Sequence, residues 1–127
     1  MVYIMVKKIL GSFPHAIRGI MICLIFEHNM KFHVFVSLII IVLGYVFNLS
    51  REEWIATLAC IGVVLCAEII NTAIEDLCDV VRDNLNLDYQ KTKDARDLAA
   101  GAVLIVSFIS LVIGIMIFGP KFVALFY

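Results

Sequence analysis

The fold class this sequence predicts is an all-α integral membrane protein, with three transmembrane helices and an N-terminal amphipathic helix on the membrane surface. Three observations predict it. Apolar residues make up 63% of the 127 residues and charged ones only 17%, against roughly half and a quarter in soluble domains. The apolar residues gather into long runs. The lysines and arginines between those runs are distributed unequally. A mean hydropathy of +1.04 excludes a disordered chain, and a net charge of −1 gives no field that would gather nucleic acid. The length suits one unit, so residues 1–127 are read as a single membrane-embedded domain.

The surface helix is expected over about 5–30. Leu10, Phe13, Ile17, Ile20, Met21, Leu24 and Ile25 recur at three and four residues, while Lys8, His15 and Arg18 take other positions, which is the period of an amphipathic helix. Apolar on one side and basic on the other, it suits the cytoplasmic membrane surface. Gly11-Ser12 is expected to break it from a short leading helix, with Ser12 as cap and Pro14 tolerated in the first turn. A signal peptide fits less well, because the apolar region begins too far from the start and no small-residue cleavage site follows.

The first span is expected over about 32–49, short and with His33 in the headgroup layer. The second starts at Trp54, an interfacial residue, and stays apolar through Ala67. It continues as helix to about residue 81 while leaving the bilayer. Fourteen residues at about 1.5 Å put Glu68 roughly 21 Å from Trp54, near the opposite face. The third span, Leu98 to Phe118, is uncharged and about 31 Å long as a helix, enough to cross the hydrocarbon core. Gly119-Pro120 is expected to stop it. Lys121, Phe122, Phe126 and Tyr127 then form an interfacial anchor. The pairs Ser110/Gly114 and Ala99/Val103 point to close helix packing at one end of this span.

Orientation follows from the cations. Lys7, Lys8, Arg18 and Lys31 precede the first span, and Arg82, Lys91, Lys93 and Arg96 lie between the second and third, whereas Arg51 and Lys121 lie on the other side. The positive-inside rule then places the N-terminus and the 82–97 loop in the cytoplasm and the C-terminus outside. The cysteines, Cys23, Cys60, Cys66 and Cys78, form no CxxC pair and read as reduced, helix-packed thiols. His15, His28 and His33 have no spacing that would make a metal set.

Chemistry enters on the second span. At 100° per residue Glu68, Asn71, Glu75 and Asp79 fall at about 0°, 300°, 340° and 20°, one polar stripe about 80° wide. A solvated face explains Asp76, Asp79 and Asp83. It does not explain Glu68 and Asn71, which stand among Leu65, Cys66, Ile69 and Ile70, where an unpartnered carboxylate costs a few kcal/mol. Stacked carboxylates suit a hard divalent cation, and Lys91, Lys93 and Arg96, with Lys7, Lys8 and Arg18, approach the same side. Acids that hold a metal beside cations that hold phosphates are the parts of a phosphoryl-transfer site. No GxxxxGK[ST] loop is present, so any nucleotide is held without a Walker-type cradle.

The run Ala67-Glu68-Ile69-Ile70-Asn71-Thr72-Ala73-Ile74-Glu75, then Asp79, and later Ala95-Arg96-Asp97-Leu98-Ala99-Ala100-Gly101-Ala102-Val103-Leu104, resembles the prokaryotic diacylglycerol kinase family. The stretch Glu27-His28-Asn29-Met30-Lys31-Phe32-His33 is more similar to the undecaprenol kinase branch of Gram-positive bacteria. The resemblance covers essentially the whole chain. It implies a homotrimeric enzyme of the bacterial inner (plasma) membrane that moves the γ-phosphoryl of MgATP to a lipid alcohol, undecaprenol or, as the alternative, diacylglycerol. It assigns Glu68 as catalytic base, Glu27 and Glu75 as ligands of Mg²⁺ or another divalent cation, and Asn71 as the polar residue beside the base. Lys8, His15, Glu27, Glu75, Asp79, Arg96 and Asp97 align with nucleotide contacts, and Glu68, Asn71 and Ala100 with the lipid cleft. Arg96 departs from the family's usual lysine, and the segment 82–94 is less typical. Outside this class, a small ion-binding transporter or channel subunit would also keep an acid in the membrane, but it would line a path through the bilayer, whereas the charges here gather at one face. A silent membrane partner would not need Glu27, Glu68, Asn71, Glu75 and Asp97 together.

Overall fold

The computed structural model describes the backbone of residues 2–126 and the side chains of residues 11–126. Four helices follow one another: α1 Val2–Phe26, α2 His28–Val46, α3 Arg51–Leu85 and α4 Gln90–Val123. Three of them, α2, α3 and α4, are long and apolar enough to cross a membrane.

The helix ends differ from the sequence expectation in an instructive way. α1 runs unbroken through Gly11-Ser12 and carries Pro14 inside it. A glycine costs a helix only about 1 kcal/mol relative to alanine, too little by itself to end one even with Ser12, Phe13 and Pro14 following. The break falls instead at Glu27, whose backbone is extended at φ −92° and ψ 123°, so α2 begins at His28 and not at 32. Its amide still bonds the Cys23 carbonyl at 3.0 Å and its carbonyl accepts from Lys31 at 3.3 Å.

The tight turns are cut by asparagine. Asn48, at φ 48°, and Asn86, at φ 50°, take the left-handed conformation, which asparagine tolerates better than most residues. Leu49 N–H then bonds the Gly44 carbonyl and Leu87 N–H the Arg82 carbonyl. The expected 82–97 loop is therefore mostly helix, with only residues 86–89 outside it. α3 starts at Arg51 because Ser50 and Glu53 form a reciprocal capping box, 2.7 Å and 3.2 Å, satisfying two amides that a helix start leaves open.

α4 does not stop at Gly119-Pro120 but continues to Val123 with Pro120 in its last turn. The proline forfeits one hydrogen bond there, and tertiary contacts hold the turn: Phe122 packs on Phe47 at 4.8 Å between ring centroids, and Lys121 pairs with Glu53 at 3.1 Å. α3 and α4 form a long antiparallel hairpin, the most extensive packing in the molecule, and α2 lies on α3. Among the described residues α2 and α4 do not pack directly on each other. Between them runs a groove of about 660 Å³, lined from His33, Val36 and Val64 at one end to Phe118 and Phe122 at the other. Ser110 and Gly114 face this groove, and a Cβ at Gly114 would meet nothing within 4 Å. The close packing expected at that pair is absent within one chain; Ala99, by contrast, is buried.

Candidate functional site

At 35 and 34 residues, α3 and α4 are each about 50 Å long, well beyond a hydrocarbon core of about 30 Å. The site begins at the midpoint of α3, with Glu68, and runs from there toward the 86–89 turn. Glu68 is 2% exposed although it is a carboxylate. Its polar neighbours are His33 and Asn29 from α2, Glu27 at the α1–α2 break and Glu75 one helical stretch further along α3. A buried carboxylate without partners costs several kcal/mol, so a fold that keeps one places donors around it.

The backbone beneath Glu68 is fixed from two sides. Thr72 Oγ1 donates to the Glu68 carbonyl at 3.1 Å and lies 3.4 Å from the Sγ of buried Cys23 on α1. Asn71, 4% exposed, donates through Nδ2 to Glu75 Oε1 at 3.0 Å, while its own Oδ1 is buried with no partner. Of the stripe read from the helical wheel, Asn71 and Glu75 are bonded to each other.

A second cluster follows about one turn on. Asp79 Oδ1 accepts from Arg96 Nη2 at 2.7 Å and from Arg82 Nη1 at 2.9 Å, and Arg82 also pairs with Asp83 at 3.0 Å. Tyr89 places its ring 5.4 Å from the Arg96 guanidinium carbon, a cation–π contact. Arg96 Nε is buried and has no partner.

The structure gathers Glu27, Glu68, Asn71 and Glu75 into one group and Asp79 and Arg96 into its neighbour. It leaves His15 exposed on α1 and Asp97 and Ala100 exposed on α4. Ala100 does not line the groove, and Asp97 faces a separate shallow recess with Asp94, Leu98 and Gly101. The Lys8 side chain lies outside the described residues. Asn29, His33, Arg82, Cys23 and Thr72 are participants that sequence reasoning missed. Asn29 and His33 stand four apart, on one face of a helix that starts at His28, and that spacing was the available signal.

Among the described residues no three His, Cys, Asp or Glu side chains cluster as a closed metal site. Two carboxylates, Glu27 and Glu75, do stand near Glu68. That donor set fits a hard cation that takes its remaining ligands from phosphate and water, as Mg²⁺ commonly does. The four cysteines are free, with Cys23 and Cys78 buried.

Apolar spans, a carboxylate buried where they meet polar residues, and an arginine cluster beside it are the parts of a membrane-embedded site that can take a proton and hold an anionic group. Comparison with known proteins narrows this class. Residues 14–118 match the family model of the prokaryotic diacylglycerol kinases, and the chain belongs to that family. It is 36% identical over 115 residues to the undecaprenol kinase of Bacillus subtilis (strain 168), 91% of each chain. It is also 28% identical over 120 residues to a diacylglycerol kinase of Synechocystis sp. (strain ATCC 27184 / PCC 6803 / Kazusa), covering 93% of this chain and 66% of that one. No solved structure matches. The chain is thus a membrane lipid kinase that phosphorylates a lipid alcohol, and kinase chemistry brings ATP as the phosphoryl donor.

Proposed function

We propose that the protein phosphorylates undecaprenol to undecaprenyl phosphate, with Glu68 as the base that accepts the proton of the lipid hydroxyl. The observation that carries the assignment of the base is the burial of Glu68 beside Val64 and His33, where the groove between α2, α3 and α4 begins. A lipid lying in that groove brings its hydroxyl to the carboxylate without leaving the bilayer. Undecaprenol is favoured over diacylglycerol by the 36% identity to an undecaprenol kinase along nearly the whole of both chains.

The other residues divide the remaining work. Asn71 holds Glu75 in place and offers its free Oδ1 to a donor on the substrate. Glu27 and Glu75 would hold Mg²⁺, which when bound supplies positive charge against the phosphates. Arg96, with Lys8, His15, Asp79 and Asp97, receives the nucleotide, and electrostatic stabilisation of the phosphoryl group is the main catalytic term such a site can supply. In this reading α1 rests on the cytoplasmic membrane surface, the N-terminus and site face the cytoplasm, the C-terminus lies outside the inner membrane, and three copies assemble as a trimer. So many exposed apolar side chains on α2 and α4 suit both lipid and neighbouring copies.

The test is transfer of ³²P from γ-labelled MgATP in mixed micelles, comparing undecaprenol with diacylglycerol, with Glu68→Gln as control. Labelling of undecaprenol that disappears in the variant is the expected result. Preference for diacylglycerol would overturn the substrate and keep the base. Normal labelling by Glu68→Gln would overturn the base.

A further inference from the structure

Arg96 is more tightly engaged than a free phosphate-binding arginine would be. Its Nη2 bonds Asp79 at 2.7 Å, only 13% of its side chain is exposed, and Tyr89 lies against its guanidinium. To meet a nucleotide it must leave Asp79, whose side chain is 44% exposed, so the resistance to parting is that of a partly solvated pair and not of a buried one. Asp79 also has a second cation. Arg82, one turn along α3, bonds the same Oδ1 at 2.9 Å.

We propose that Arg82 is a positioning residue for nucleotide binding: it keeps Asp79 paired while Arg96 turns to the phosphates. This rests on the reading of Arg96 as a nucleotide contact. Two features of the geometry support it. Two guanidinium groups on one oxygen repel each other, so Arg82 loosens the Arg96 pair as well as replacing it. The buried Nε of Arg96 has no acceptor, so the resting arrangement leaves a donor that a phosphate oxygen would satisfy. Asp83 shares Arg82 through bonds of 3.0 Å from Nε and from Nη2, and so competes with Asp79 for it. Nothing in the chemistry requires Arg82 to touch the nucleotide.

The experiment is a double-mutant cycle on the full-length protein in micelles, with KM for MgATP and kcat measured at saturating lipid. Arg82→Gln is expected to raise KM for ATP roughly two- to fivefold, the range of a partly exposed ion pair, with kcat unchanged. Arg82→Lys, which still covers Asp79, restores KM. Asp83→Asn, which leaves Arg82 wholly to Asp79, lowers it. In an Arg96→Gln background Arg82→Gln has no further effect, because the tether it acts on is gone. The same rise in KM in both backgrounds would overturn the proposal, showing that Arg82 attracts phosphate directly or supports the fold. A fall in kcat at constant KM would also overturn it. If Arg96→Gln alone leaves KM unchanged, the underlying assignment of Arg96 fails, and the two failures are told apart by that single variant.

Discussion

The two ends of the α3–α4 hairpin both carry charged side chains, and they treat them differently. At the end beside the 47–50 turn, Glu53 caps its own helix start and pairs with Lys121, and Tyr45, Phe47, Trp54, Phe118 and Phe122 pack ring against ring. Gly44 sits so close to Trp54 that an added Cβ would lie 2.7 Å from the indole. From the middle of the hairpin toward the other end a carboxylate is buried with Glu27 and Glu75 near it, and an amide oxygen and an arginine Nε have no partner. Near the first end Glu53 and Lys121 satisfy each other, although the Thr57 hydroxyl, which lines the groove, is buried without a partner. Toward the second the open groups stand beside charged side chains, where a ligand can satisfy them, and that contrast separates a structural clamp from a candidate site.

Substitutions can break this contrast, beginning where the effect is largest. Glu68→Gln should lower turnover by about 10² to 10⁴, the scale of general-base catalysis, with helix content by circular dichroism and melting in detergent unchanged. A loss of fold alongside activity would make Glu68 structural. Glu75→Ala should raise KM for MgATP by about tenfold while sparing lipid binding, read from ATP titrations at fixed lipid; removing the divalent cation with a chelator should abolish phosphoryl transfer in the wild type.

At the clamp the signature reverses. Gly44→Ala forces Trp54 or Leu49 to move and should cost about 1 to 3 kcal/mol of stability, as overpacking does, with activity per folded molecule preserved. Loss of activity without loss of stability would join the two ends functionally. Smallest of all, Lys121→Met removes one ion pair whose side chains are about a quarter exposed, and thermal denaturation should show a loss of no more than about 1 kcal/mol.

The sequence was most legible where physics acts on neighbours along one helix. The stripe of Glu68, Asn71, Glu75 and Asp79 follows from helical periodicity alone, and the Asn71–Glu75 bond realises it. The helix ends were less legible because hydropathy marks where lipid contact stops, not where the helix stops. Gln90, Lys91, Lys93, Ala95 and Arg96 are good helix formers, so α4 extends eight residues before its apolar run. Gly119-Pro120 reads as a terminator until Phe47 and Glu53 are brought beside it. Contacts between helices, such as Asn29 and His33 against Glu68 or Arg82 beside Arg96, depend on packing that no single-helix pattern encodes.

Glu27 joins two mechanical roles in one residue. It is the only residue outside helix between α1 and α2, and its side chain stands in the site. From residue 11 to 22, α1 is exposed on every side, so this arm is anchored chiefly at its root, where Cys23 meets Thr72. A change in the pitch of the arm is absorbed by the backbone angles of Glu27, and the carboxylate travels with them. Whatever α1 leans on can thereby set the distance between two acids of the candidate site, as a long handle sets the opening of a small jaw.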